Sequence, residues 1–322
     1  MKHLLFCFAA FFLMPGQAKA QLFGQNKPRY RTFDFKTLET PHFSIYHYTK
    51  NKEAILRMAD WSEEWYKMHS EMFRDTTLPK NPIIIYNNHA EFQQTNAISG
   101  EIGVSTGGVT EGLKNRVVMP LTMINQQTQH VLGHELVHAF QFDHIINGDS
   151  TSLESLGNLP LWVVEGMAEY YSLGRVDPFT AMWMRDAVLN DDVPTLRKMS
   201  SYKYFPYRYG HAFWAFYGGT FGDQMILPFF NNTAIYGLDG ALAVTLGIDD
   251  KRMSEMFINT LKTYYEPFLG ESHKENFVGT KIISEENAGR MNLSPVISPD
   301  GKFVIFLSDK NLFSTDLYLA DT

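Results

Sequence analysis

The chain has 322 residues, 44% hydrophobic and 14% aromatic, enough apolar material for a sizeable core and for two domains, which excludes intrinsic disorder as its description. Its formal charge of −7, without a basic cluster along the sequence, excludes a protein that tracks nucleic acid backbones. The lone cysteine, Cys7, excludes a disulfide framework.

Residues 1–20 open with Lys2, continue in an apolar run from Leu4 to Met14, and end in Ala18-Lys19-Ala20, the pattern of a secretory signal cleaved after Ala20. The run is short for a bilayer span, and no later stretch approaches the ~18 apolar residues that a span needs. The expected product is therefore exported, periplasmic or secreted, with no integral membrane span after cleavage. Cys7 leaves with the leader, so thiolate ligation of a metal is excluded in what remains.

Phe43 to Tyr48 alternates as a strand does, and a helix is predicted from about Lys52 to Phe73. In that helix Trp61, Trp65, Met68 and Met72 recur at spacings of four, three and four, a core-facing stripe. Pro82 to Tyr86 reads as a buried strand, the glycine-rich Gly107 to Gly112 leads into a strand at Arg116 to Met119, and a helix follows from about Gln126 to Asp143. Another helix starts after Pro160 and runs from Leu161 to Leu173; from Pro178 to about Leu269 the pattern is mainly helical. Residues 271–290 are polar and read as a linker. Beyond them, Ser298-Pro-Asp-Gly-Lys302 is a turn, with short strands predicted at Phe303 to Leu307 and Asp316 to Ala320.

The chemistry concentrates in His134-Glu135-Leu136-Val137-His138. Four residues turn a helix by about 400°, so His134 and His138 project from nearly one face and can grip one metal ion from two points. Glu135 is too far round to bind the same ion, yet near enough to hydrogen-bond a water there, accept its proton and later hand it to the leaving group. A catalytic zinc needs a third protein ligand, and Glu165, in Trp162-Val-Val-Glu-Gly-Met-Ala-Glu-Tyr170, is the candidate. Glu169, one turn on, is placed to accept a hydrogen bond from the outer nitrogen of a ligating histidine, His134 being favoured. His130 also precedes His134 by four residues, but no glutamate lies between them, which assigns His130 to packing or to hydrogen bonding behind the ligands.

With these residues the chain resembles the gluzincin metallopeptidases, in which H-E-x-x-H on one helix is completed by the glutamate of E-G-x-A-E on the next. More closely, it resembles exported bacterial proteins that join a peptidase-MA-like domain to a TolB-type β-propeller. Phe23-Gly-Gln-Asn-Lys27, Thr40-Pro-His-Phe43, Phe92-Gln-Gln-Thr-Asn96, Gly107-Gly-Val-Thr-Glu111, Asn115-Arg116 and Tyr207-Arg-Tyr-Gly210 carry the likeness, and the tail resembles one propeller repeat.

The resemblance implies an α+β, zincin-like fold: an N-terminal sheet over the active-site helix, a helical C-terminal half, and then the start of a propeller. The expected division is a signal at 1–20, a metallopeptidase domain at 21–270, a linker at 271–290, and a partial propeller repeat at 291–322. A propeller needs several blades, so a gene fragment is expected, with an accessory hairpin on the catalytic domain as the alternative.

One zinc ion per chain is implied, with a peptide or protein as substrate, bound as an added strand at the sheet edge near Gly107 to Glu111, and a protein partner at the propeller. Tyr207, Tyr209 and His211 are candidates to donate a hydrogen bond to the developing oxyanion, Tyr209 favoured and His211 second. The rival readings are a zinc-containing scaffold that acts through its propeller, and a zinc amidase or deacetylase working on cell-envelope material.

Overall fold

A computed structural model describes residues 27, 29–74, 79–146, 153–268, 279–311 and 314–322. The leader at 1–20 and most of the motif at 23–27 lie outside the described residues. The chain is of the mixed α+β class and divides into two compact units, with the break between Glu266 and Pro267.

The first unit begins with β1 (Lys36–Glu39) and β2 (Phe43–His47), followed by the long helix α1 (Lys52–Phe73) and β3 (Asn81–Tyr86). After a helical turn at His89–Phe92 come β4 (Val109–Glu111) and β5 (Arg116–Pro120). The five strands form one sheet in the order β1-β2-β3-β5-β4, parallel through β2, β3 and β5 and antiparallel at both edges. Because strand side chains alternate, Phe43, Ile45, Ile83, Ile85, Val117 and Met119 are shielded on one face, while Tyr86 and Val118 pack with Phe92 and Ile102 on the other. Burial on both faces explains why Pro82 to Tyr86 reads as a continuous apolar run.

Helix α2 (Asn125–Ile146) follows the sheet and packs against it and against α1, burying Leu132, Leu136, Val137 and Phe140. The helical half then comprises α3 (Leu161–Leu173), α4 (Pro178–Leu189), α5 (Pro206–Phe221), α6 (Ile226–Leu246, kinked at Gly237) and α7 (Asp250–Tyr265). Helices α3 and α5 meet at two glycines: a Cβ on Gly210 would stand 2.1 Å from the Trp162 carbonyl oxygen, and one on Gly166 would stand 2.3 Å from the Gly210 carbonyl carbon. Around this contact Trp162, Phe213, Trp214, Tyr217 and Phe229 form an aromatic core, with the Trp214 indole N–H donating to the Val163 carbonyl at 2.9 Å.

The buried face of α1 differs from the expected stripe. Ile55, Met58, Ser62, Tyr66, His69 and Phe73 point inward, whereas Trp61, Trp65 and Met72 are half-buried and Met68 is exposed. Two polar residues hide the true core face in the sequence, each held by a hydrogen bond inside the fold. Ser62 Oγ donates to the Met58 carbonyl at 2.7 Å, and His69 Nε2 bonds the Gly133 carbonyl at 3.0 Å. Trp65 instead lies over Gly133 of α2, where the missing side chain makes room for its ring, and its N–H reaches the Gln129 carbonyl at 3.1 Å.

The second unit carries three antiparallel strands in the order β6 (Asn292–Ile297), β7 (Phe303–Asn311), β8 (Ser314–Asp321). The sequence signals only the last two; β6 is obscured by Pro295 and by a bulge at Ser294, whose φ is +50°. Residues 279–290, read as linker, are tied to this sheet, since Gly289 N donates to Ser308 Oγ at 2.9 Å and Lys310 Nζ donates to the Asn287 carbonyl at 2.9 Å. Residues 271–278 of that linker lie outside the described ones. Among the described residues, no helix is long and apolar enough to cross a membrane.

Candidate metal centre

Helix α2 presents His134 and His138 on one face, and α3 brings Glu165 against them. His134 Nε2, His138 Nε2 and Glu165 Oε2 stand 3.2 Å from one another along all three edges. A metal ion with bonds of about 2.0 Å in tetrahedral array separates its ligand atoms by about 3.3 Å, so the three donors are spaced to share one ion. All three side chains are nearly enclosed, at 9%, 11% and 14% exposure in the same order.

The electrostatics favour a cation at this point. Burial opposes a charge on His134, but Glu165 and Glu169 outweigh it and lift its pKa to about 10. Burial likewise raises the Glu165 carboxyl, yet the hydrogen bonds from His134 and His138 win and hold it well below the usual carboxylate range.

The histidines are held from behind by groups on different helices. His138 Nδ1 lies 2.8 Å from Gln141 Oε1, and Gln141 Nε2 donates to the Val164 carbonyl at 3.1 Å, so one amide orients the histidine and ties α2 to the residue before Glu165. A proton on Nδ1 leaves Nε2 with its lone pair toward the site. Glu169 Oε1 lies 3.0 Å from His134 Nδ1 and 3.2 Å from His130 Nε2, while its other oxygen accepts from Arg208 at 3.0 Å. Arg208 also reaches Asp177 at 3.2 Å, and Asp177 caps α4 by accepting from Thr180 N at 2.7 Å. His130, His134 and Glu169 make a second group able to hold a cation, but the guanidinium already neutralises that carboxylate. The first group is the better fit.

Glu135 is buried beside these three donors and is set by the edge strand. Thr110 Oγ1 offers its one proton to Glu135 Oε2 at 2.7 Å and to the Glu135 carbonyl at 2.8 Å. Gly108 lies so close that a Cβ there would come within 2.9 Å of Oε1.

Of the three residues considered as oxyanion donors, only Tyr207 stands at the site. Its ring stacks on His134 with centroids 5.6 Å apart and planes 20° apart, and burial, then the nearby carboxylates of Glu165 and Glu135, raise its phenol far above the ordinary value. Tyr209, the favoured one, is buried against Tyr204 and Trp183, its phenol pushed up to about 12 by burial. His211 is enclosed elsewhere, with Nε2 on the Gly174 carbonyl at 2.8 Å. Sequence reading also passed over Thr110, Gln141 and Arg208; Gln141, three residues past His138 on the same helix face, is the one that spacing could have flagged.

No protein-family profile matches the chain, and no curated protein is significantly similar to it.

Proposed function

We propose that the chain is a zinc-dependent peptidase of the gluzincin type, exported from the cell, in which His134, His138 and Glu165 hold one zinc ion and Glu135 is the general base. The observation that carries this reading is the convergence of three donor atoms 3.2 Å apart with a separately oriented carboxylate beside them. Two imidazoles and one carboxylate are a zinc set that leaves a fourth position open. The order of sheet, ligand-bearing helix and helical C-terminal half supports a zincin-like fold for residues before 267. Three antiparallel strands after it are compatible with part of a propeller blade.

Zinc, when bound, supplies Lewis acidity toward a carbonyl oxygen and lowers the pKa of water. Glu135 takes a proton on one carboxylate oxygen while Thr110 keeps a hydrogen bond on the other, and then returns the proton to the leaving amine. Tyr207, whose raised pKa keeps its phenol protonated, is the donor to the developing oxyanion. Among the described residues β4 pairs only with β5, and it carries Thr110, so an extended peptide pairing along its other side would pass Glu135, which favours a peptide over other amides.

The test is zinc content and hydrolysis of unfolded protein, short peptides and muropeptides, measured for the protein and for Glu135→Gln. One zinc in both with peptide cleavage only in the parent supports the reading. One zinc with no activity in either favours a scaffold, cleavage of muropeptides alone moves the substrate to the cell envelope, and no zinc removes the site.

A further inference from the structure

Large aromatic side chains are seldom left in water in a connected group, because each exposes apolar surface that burial would stabilise. Here such a group begins at a metal ligand. Tyr207 stacks on His134; Phe205 lies 5.0 Å from Tyr207 with planes 32° apart; Trp183 lies 5.8 Å from Phe205 with planes 35° apart. Tyr207 is half-buried, whereas Phe205 and Trp183 are 43% and 37% exposed and Phe179, one turn before Trp183 on α4, is 64% exposed. The centroid steps span at most about 16 Å, the reach of roughly five extended residues.

We infer that Phe205, Trp183 and Phe179 form a subsite that selects substrates with an aromatic or bulky aliphatic side chain on one side of the cleaved bond. The inference rests on the hydrolase reading above. Its occupant follows from continuity with the metal centre and from the groups beside the rings. Arg208, whose guanidinium lies 5.9 Å from the Phe179 ring, is committed to Glu169 and Asp177, so recognition falls to ring faces rather than to a charge. Successive ring planes differ by 20°, 32° and 35°, so the rings make no single flat platform for a sugar to lie across, and their exposed faces and edges are what a bulky side chain can pack against.

The experiment uses the zinc-loaded full chain with hexapeptides in which Phe or Ser is placed in turn at each of three positions on either side of the cleaved bond, together with Phe205→Ala and Trp183→Ala. At one position the Phe peptide is expected to exceed its Ser partner in kcat/KM by about tenfold or more, and that ratio should collapse toward one in both variants. A ratio unchanged in the variants, or no position with a Phe preference, overturns the subsite. Both side chains are exposed, so melting temperatures matching the parent's are expected and check that the variants are folded.

Binding is read separately from turnover, through the change in tryptophan emission when a Phe hexapeptide is added to Glu135→Gln and to Glu135→Gln/Trp183→Phe. A change present only while Trp183 remains supports the subsite even if no peptide is cleaved, which separates its failure from failure of the hydrolase reading. A change produced by chitohexaose and not by peptide overturns the peptide occupant.

Discussion

Replacing Gly210 with alanine should damage both stability and the proposed metal centre, although residue 210 touches neither the proposed ligands nor the proposed base. The added Cβ would stand 2.1 Å from the Trp162 carbonyl oxygen, 2.8 Å from Gly166 Cα and 3.1 Å from Gly166 N, all backbone atoms that no rotamer change can move. Restoring an ordinary contact of 3.4 Å parts α3 and α5 by roughly 1.3 Å. Overpacking of this kind costs about 3 kcal/mol, which for a unit of this size lowers the melting temperature by roughly 6–12 °C.

The same shift separates Tyr207, on α5, and Glu165, on α3, from their places, so zinc affinity should fall by about tenfold or more. Calorimetric melting with and without zinc, beside competition titration with a chelator, measures both. Gly219→Ala is the control: it lies on the same helix with nothing within 4 Å of its would-be Cβ and should be neutral. A Gly210→Ala melting temperature within about 1 °C of the parent's, with unchanged zinc affinity, would refute the glycine contact as the seat of the two helices.

Thr110→Val should retain one zinc and lower kcat by about tenfold, because Glu135 loses the hydrogen bond that orients it; a normal kcat would show that Gly108 packing alone suffices. Gln141→Leu releases His138 Nδ1 and should weaken zinc binding about 10–100-fold in chelator competition. Stability should also depend on His69, fully buried with its pKa lowered by that burial to about 4. The unfolded chain binds its proton near pH 6.5, so this contribution is complete above that pH and is lost as pH falls from about 6.5 to about 4, amounting to about 3 kcal/mol. Urea unfolding at pH 7 and pH 5 should therefore show a steeper loss for the parent than for His69→Gln, and equal slopes would remove His69 as the cause.

Much of this site could be read from spacing alone, and what escaped was decided by helix docking. H-E-x-x-H and the Glu165 to Glu169 turn depend only on helical geometry within one element, and the helix from Leu161 to Leu173 begins after Pro160 and ends before Gly174 as such signals demand. Tyr207 and Tyr209 are equivalent by composition but sit about 200° apart around α5. Gly210 seats α5 on α3, and Tyr207, three residues before that glycine, shares its face whereas Tyr209 does not. Thr110 escaped for a related reason: a threonine on a three-residue edge strand gains its role from where α2 crosses the sheet. On α1, hydropathy chose tryptophan and methionine over Ser62 and His69, whose burial depends on hydrogen bonds made inside the fold.

The link from His134 through Glu169 and Arg208 to Asp177 ends at the cap of another helix. A designer who grafted the five-residue motif and its glutamate onto a foreign scaffold would carry the three donor atoms and leave behind what aims them. Transplantation would have to include α4 and, on α5, the guanidinium that couples it to the carboxylate, making the smallest portable version of this site a four-helix assembly with an edge strand.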